Sequence, residues 1–351
     1  MDEINTPLIE KNTQVDKVPT STKLYEIVSR WIPFGISMFV SIILELINVG
    51  FAGRVKEENA LAAVGLANAM INIFAFSLML GMNTALETLA AQAVGAKNFN
   101  KAGVYLYRAR AVLIVMFIPI GAILFFSEPI LVAFGQDPAV SKLTGQYLQR
   151  IMPATLANMF FDANRLFLFA MGYNLPPTIV TLCAIPLHFL IGWVLIFKLD
   201  MGLFGCCWSV LITQVLLIIA LQVYSSCLDE KVHNAVKWPG FALIFSDWGE
   251  YLSLGIPGAI MVFMEWFVFD VIAIEAGWIG VVDLEAMTML SVFFPALSTM
   301  SHGLSLAISV LVGNSMGSND PHLAKSYASL SMITAITYSI SAGLLITLLR
   351  Y

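Results

Sequence analysis

The chain has 351 residues, of which 59% are hydrophobic and only 12% charged, and its mean hydropathy is +0.84. Soluble domains carry about a quarter charged residues, so this composition excludes a water-soluble globular fold. The net charge of -5 comes without any basic cluster, which excludes a nucleic-acid partner and leaves the lipid bilayer as the solvent.

Residues 1–30 are polar, mixed in charge and lack the apolar core of a cleaved signal peptide, so they read as a cytosolic tail. A bilayer core of about 30 Å takes roughly 20 apolar residues in helix. The segments that meet this are Trp31–Gly50, Leu61–Leu80 (continuing to Val94), Ala109–Phe126, Tyr147–Met171, Pro177–Phe197, Leu203–Tyr224, Leu252–Ala276, Met287–Val312 and Ala324–Leu349, nine expected crossings. Polar or Gly/Pro-rich joints such as 54–59, 135–141 and 172–177 separate them. Between the sixth and seventh, residues 229–250 form a joint whose second part, with Trp238, Phe241, Phe245 and Trp248, has the character of an interfacial segment. The four cysteines, Cys183, Cys206, Cys207 and Cys227, lie in or beside apolar segments and suggest neither a disulfide framework nor a metal site.

Orientation follows from the cationic residues in the joints. With the tail inside, the cytosolic face receives Lys11, Lys17, Lys23, Arg30, Lys97, Lys101, Arg108, Arg110, Lys231, Lys237 and Lys325, and the outer face Arg54, Lys56, Lys142, Arg150, Lys198 and Arg350. That bias predicts a cytosolic N-terminus.

An internal repeat organises the chain. At a shift of 224, Ile32 and Pro33 fall on Ile256 and Pro257, and Ala52 and Gly53 on Ala276 and Gly277. At a shift of 222, Gly81, Ala85, Leu89, Gln92, Gly95, Ala102 and Tyr105 fall on Gly303, Ala307, Leu311, Asn314, Gly317, Ala324 and Tyr327. A six-helix unit crosses the membrane an even number of times, so its copies run parallel, related by an axis along the membrane normal. The predicted fold is an all-α membrane protein with a six-helix lobe over 31–228 and the first three helices of a second over 251–351. By the same arithmetic a complete second lobe would end near residue 470, so the chain reads as a truncated form.

Carboxylates inside a span cost about 2.5 to 3.5 kcal/mol on insertion scales and usually face a cavity or a partner. Glu265, about 13 residues into the seventh helix, is expected to be buried at mid-depth and to exchange a proton for a cation. Asp270 follows about 140° round that helix. In the first helix Glu45 and Asn48 share a face, and under the repeat Glu45 falls beside Asp270. Asn68 and Asn72 share a face of the second helix, placed either to add polar lining or to hydrogen-bond helix to helix. Asp162 and Arg165 have the spacing of an intrahelical ion pair, and Glu87 with Gln92 is expected to hold the cytosolic loop.

The run from Gly81 to Ala96, followed by Tyr105 to Arg108, resembles the helix-two signature of eukaryotic, plant-like multidrug and toxic compound extrusion (MATE) transporters. So do Pro33 with Val49 and Gly50, Trp238 to Phe241, Met264 to Trp266, and Val312 to Asn314 with Gly317. The resemblance implies twelve helices in two lobes around a cavity of alternating access. It also implies export of organic cations, xenobiotics or metabolites in exchange for protons or sodium, from the plasma membrane or a vacuolar or endosomal one, with no cofactor. Two departures stand out: the fourth span ends at Met171, where plant-type relatives tend to carry glutamine, and three helices of the second lobe are missing. A second expectation is therefore a truncated, non-transporting membrane protein with an assembly or regulatory role. No Ser/His, paired-Asp or His-rich arrangement suggests an enzyme.

Overall fold

The computed structural model describes residues 18–227, 229–279 and 281–349; side chains are described except those of 269–271, 273–297, 345, 346 and 349. The described residues hold helices and connecting turns, with no strand. The long helices are α1 (Thr20–Ala52), α2 (Ala60–Gly95), α3 (Phe99–Phe125), α4 (Pro138–Ala170), α5 (Leu175–Lys198), α6 (Leu203–Cys227), α7 (Trp248–Ile279), α8 (Val281–Gly317) and α9 (Pro321–Leu349). Among the described residues, six segments, α1, α2, α3, α5, α6 and 248–268 of α7, are long and apolar enough to cross a membrane. The polar side chains of Arg150, Asp162, Asn164 and Arg165 dilute α4.

The helices start where capping chemistry allows. Asp137 accepts from the backbone N–H groups of Ala139 and Val140 at 2.8 and 3.0 Å, with Pro138 in the first turn of α4 where its missing N–H is not needed. Asn98 accepts from the Lys101 N–H at 3.1 Å at the start of α3, and Asp320 from the Leu323 N–H at 2.9 Å at the start of α9. One boundary differs from expectation: α1 begins at Thr20 rather than Trp31, so residues 20–30 are helix and not tail. That first stretch is polar because Lys23, Glu26 and Arg30 face α9, as described below.

α1 to α6 pack as one unit around a core that includes Tyr147, Leu148, Phe167, Leu86, Leu106 and Leu113. α7, α8 and α9 pack in sequence, and the two groups meet where α2 lies against α7 and α8, and α1 against α8. This contact has the two-fold logic that the repeat requires. A Cβ added to Gly81 would lie 2.2 Å from the Ala259 Cα, and one added to Gly303 would lie 2.6 Å from the Gly35 backbone N. Gly35 falls on Ala259 at the shift of 224, and Gly81 on Gly303 at 222, so each contact is the copy of the other. Likewise a Cβ on Gly95 would come 2.0 Å from the Asn314 carbonyl oxygen, and one on Gly317 2.0 Å from that of Gln92. Residue i meeting j while j's equivalent meets i's is the mark of an isologous interface. The turns copy one another as well: Lys97 and Asn319, 222 apart, both have positive φ, 57° and 62°.

Five of the positions singled out by the repeat, Gly81, Gln92, Gly95, Asn314 and Gly317, thus lie in the contact between the two groups of helices, where only backbone fits. Pro33 and Pro257 lie inside α1 and α7, one residue before Phe34 and Gly258 of the same contact. The joint between α6 and α7 holds two short helices, Glu230–Ala235 and Phe241–Phe245, the latter with Phe241 and Phe245 exposed. It is tied down on α3, because the Tyr107 hydroxyl donates to the Val236 carbonyl at 2.7 Å and a Cβ on Gly103 would meet the Ala235 carbonyl oxygen.

Candidate functional site

Three of the expected polar residues come together within the first lobe. Glu45 of α1 lies within hydrogen-bonding reach of the Asn72 side chain on α2. One turn on, buried Asn48 donates from Nδ2 to the hydroxyl of Tyr147 on α4 at 2.9 Å, while its Oδ1 has no partner. Asn72 opens a stretch of π-helix, Asn72–Phe76, a widened turn that recurs at functional sites. Asn68, one turn earlier, is half-buried. The group joins α1, α2 and α4 near the Ala52 end of α1, about 10 Å along the helix axis from that end.

Glu265 departs from expectation. Its side chain is exposed, not buried. The reason lies in how α7 packs: Tyr251, Gly255, Ala259 and Val262 form a stripe buried against α2, and beyond Val262 that cover ends, leaving Met264, Glu265, Phe267 and Val268 exposed. Glu265 is seven residues past Gly258 and therefore only about 20° round the helix from it, on the side that faces the first lobe. The Asp270 side chain lies outside the described residues.

Among the described residues, the glycine-mediated approaches between the lobes fall on the other side of this level, from Gly35, Gly81, Gly258 and Gly303 toward the Gly95 and Gly317 ends. That end is also latched by polar pairs. The Tyr105 hydroxyl on α3 donates to Oε2 of Glu250 on α7 at 3.0 Å, and the Tyr327 hydroxyl on α9 donates to Oε2 of Glu26 on α1. Tyr105 and Tyr327 are 222 apart, Glu26 and Glu250 are 224 apart, so the two latches are copies related by the same axis. Arg108 lies 3.9 Å from Glu250 and 3.8 Å from Asp247, Arg30 acts on Glu26, and Lys23 Nζ donates to Ser326 at 2.7 Å. Hydrogen bonds in which one partner is charged contribute roughly 1.5 to 3 kcal/mol where they are sheltered, less where exposed.

A further buried network had only a partial signature in the sequence. Asp162 pairs with Arg165 as the three-residue spacing suggests. The pair is not isolated: Asn83 of α2 donates to Asp162 Oδ2 at 2.7 Å, Arg165 Nη1 donates to Ser37 of α1 at 3.1 Å, and Ser37 lies 3.2 Å from Thr181 of α5. Four helices are thereby linked through one ion pair, and no local pattern could reveal it because the partners lie 79 to 144 residues apart in sequence. Glu87, expected at a loop, is instead buried between lobes, its carboxyl in hydrogen-bonding contact with the Ser309 side chain on α8 and facing Asp162. His188 of α5 is a packed helix residue, its Nδ1 3.0 Å from the Thr213 hydroxyl. Among the described residues no group of His, Cys, Asp and Glu has the arrangement of a metal site.

Among the described residues, the two helical lobes are drawn together from Gly81 and Gly303 to the Gly95 and Gly317 ends, and the exposed Glu265 lies beyond that contact. The MatE family model matches residues 33–194 and 257–351. "Multidrug and toxin extrusion protein 1" of Homo sapiens is 30% identical over 305 residues, 87% of this chain and 53% of its own length. "Protein DETOXIFICATION 3" of Arabidopsis thaliana is 29% identical over 312 residues, 87% of this chain and 64% of its own. The chain therefore spans about half the length of the human relative. Among solved structures, that of the eukaryotic MATE transporter AtDTX14 superposes with a TM-score of 0.83 at 25% identity, over 93% of this chain and 72% of that one. A MOP superfamily transporter from Pyrococcus furiosus, at 17% identity and a TM-score of 0.77, shares the fold.

Proposed function

Because the chain belongs to the MatE family, we propose that it is a secondary antiporter, or the larger part of one, that exports organic cations, xenobiotics or metabolites in exchange for protons. In this reading the nine long helices among the described residues are a six-helix lobe and the first half of its copy in a twelve-helix transporter. The observation that carries it is the isologous contact of Gly81 with Ala259 and of Gly303 with Gly35. Two parallel lobes joined in this way exchange access by rocking about their common axis. With the cationic joints on the cytosolic side, the end drawn together at Gly95 and Gly317 is the inner one. The human relative's name supports the substrate class.

Glu265 and Asp270 on α7, and Glu45 with Asn48, Asn68 and Asn72 in the first lobe, are the coupling and binding groups of this reading. Glu265 lies beside Trp266, a setting that suits a proton, whereas sodium prefers several oxygen ligands. A carboxylate at the edge of the lobe contact is wet in one state and covered in the other, which is what exchange of a proton for a cation requires. Glu265→Gln, in the protein as its own gene encodes it, abolishes pH-driven efflux of a fluorescent organic cation; undiminished efflux would remove Glu265 from the mechanism.

A further inference from the structure

Glu87 has no place in the coupling scheme above, yet it occupies a singular position. Ser309 is residue 87 plus 222, so the contact of Glu87 with Ser309 joins a residue to its own repeat equivalent. The same is true one turn further along, where a Cβ on Gly313 would lie 2.7 Å from the Ala91 Cβ, and 91 plus 222 is 313. A residue can touch its own symmetry mate only on the symmetry axis. The axis of the two lobes therefore runs between α2 and α8 past Glu87, and the pair on it consists of one carboxyl and one hydroxyl.

This carboxyl is closed off on both sides. Toward the level of Glu265 lie the backbone approaches of Gly81 to Ala259 and of Gly303 to Gly35; toward the other end lie those of Gly95 to Asn314 and of Gly317 to Gln92. Only 7% of Glu87 is exposed. The charged group that faces it is Asp162 of α4, a like charge whose own counterion, Arg165, is already engaged with Asp162 and Ser37. From α8 it meets the neutral Ser309. α7 brings Tyr251, whose hydroxyl donates to the Met82 carbonyl at 3.1 Å, and α3 brings Tyr105 and Arg108, which are taken up by Glu250 and Asp247 at the latch. An ionised carboxylate buried without a counterion is too costly to persist, and such a group takes up a proton instead.

We propose that Glu87 is a proton-binding site on the axis between the lobes, filled while the cytosolic end is closed and emptied to the cytosol when α8 carries Ser309 away from it. Separation of the lobes lets water reach the carboxyl, which then ionises, and the pinch cannot close again until a proton returns. Closure of this end is thus tied to one protonation at a site distinct from Glu265. The assignment of the emptied side to the cytosol rests on the orientation given under the proposed function; the tie between protonation and closure does not.

The test reads conformation rather than transport, so that it can succeed or fail apart from the antiporter reading. Spin labels are placed at Asn100→Cys and His322→Cys, exposed positions that are themselves 222 apart, with exposed Cys183 and Cys227 replaced by serine. Their distance distribution is measured in lipid nanodiscs across a pH series. With one proton bound only in the closed state, the ratio of short to long distances falls by up to about tenfold per pH unit through the transition. In Glu87→Gln the short distance persists and the pH response is lost. Should Glu87→Gln fail to fold, infrared difference spectra of the wild type between low and high pH carry the test. The band of a protonated carboxyl that disappears must then shift in Glu87→Asp. A wild-type distribution indifferent to pH, a Glu87→Gln response equal to that of the wild type, or a response abolished instead by Glu26→Gln with Glu250→Gln overturns the proposal.

Discussion

Replacing Gly95 by alanine should open the pinched end without unfolding either lobe. The added Cβ would stand 2.0 Å from the Asn314 carbonyl oxygen, 2.7 Å from its carbon and 2.8 Å from the Asn314 Cα, all backbone atoms that no rotamer change can move. Bringing the first of these to even 3.0 Å requires α2 and α8 to part by about 1 Å, and overpacking of this order costs roughly 1 to 3 kcal/mol. Because the clash lies between lobes and not within one, that energy falls on the closed arrangement alone. It corresponds to a decrease of about 5- to 150-fold in the ratio of closed to open molecules. Gly317→Ala, which meets the Gln92 carbonyl oxygen at the same 2.0 Å, should behave as its twin. A thiol placed at the half-buried lobe interface by the isosteric change Ser309→Cys, with Cys183 and Cys227 replaced by serine, reports opening through its rate of alkylation. Both alanine variants should raise that rate by the same factor within the error of the measurement. Unchanged rates in both, or an effect of one without the other, would refute the two-fold contact as the closed gate.

Three further expectations follow from the polar contacts. Tyr105→Phe and Tyr327→Phe each remove one hydroxyl-to-carboxylate bond across the lobes and should each raise the alkylation rate about 2- to 10-fold, with the double variant near the product, since the two latches share no partner. Asp162→Asn leaves the Arg165 guanidinium buried without a counterion and should cost about 3 to 5 kcal/mol, seen as a large fall in thermal unfolding temperature; Asp162→Asn combined with Arg165→Gln should recover part of it. Asn48→Ala strands the buried Tyr147 hydroxyl and should lower stability by about 1 to 3 kcal/mol, whereas Tyr147→Phe combined with it should be milder than the sum of the two.

How much could be read before the structure depended on the range over which each signal acts. The repeat was legible because its markers, Gly81, Gly95, Gly303 and Gly317, are positions where backbone touches backbone, and such positions admit little but glycine. The helices were legible as apolar runs, with their polar ends underestimated. Residues 20–30 look like tail by composition, yet Lys23, Glu26 and Arg30 are polar because each reaches a residue of α9 or its neighbour on α1. Of the site, Glu45 with Asn48 and Asn72 came together because two of the three share a helix face and the third is tied to them across α1 and α2. The exposure of Glu265 was not legible, because periodicity places a residue on a face but cannot say where along the helix the facing partner ends. Glu87 was hidden for a related reason: its two neighbours, Asp162 and Ser309, stand 75 and 222 positions away, and only the packing of α2, α4 and α8 makes them neighbours.

The central claim is exchange of an organic cation for a proton across two rocking lobes. Flux of a fluorescent organic cation in proteoliposomes, with the protein as its own gene encodes it, under an imposed pH gradient and separately under a sodium gradient, tests this most directly. The account predicts flux that follows the pH gradient, reverses when the gradient is reversed and is indifferent to sodium. Flux that ignores the pH gradient, or its complete absence in protein shown to be folded and inserted, would contradict it.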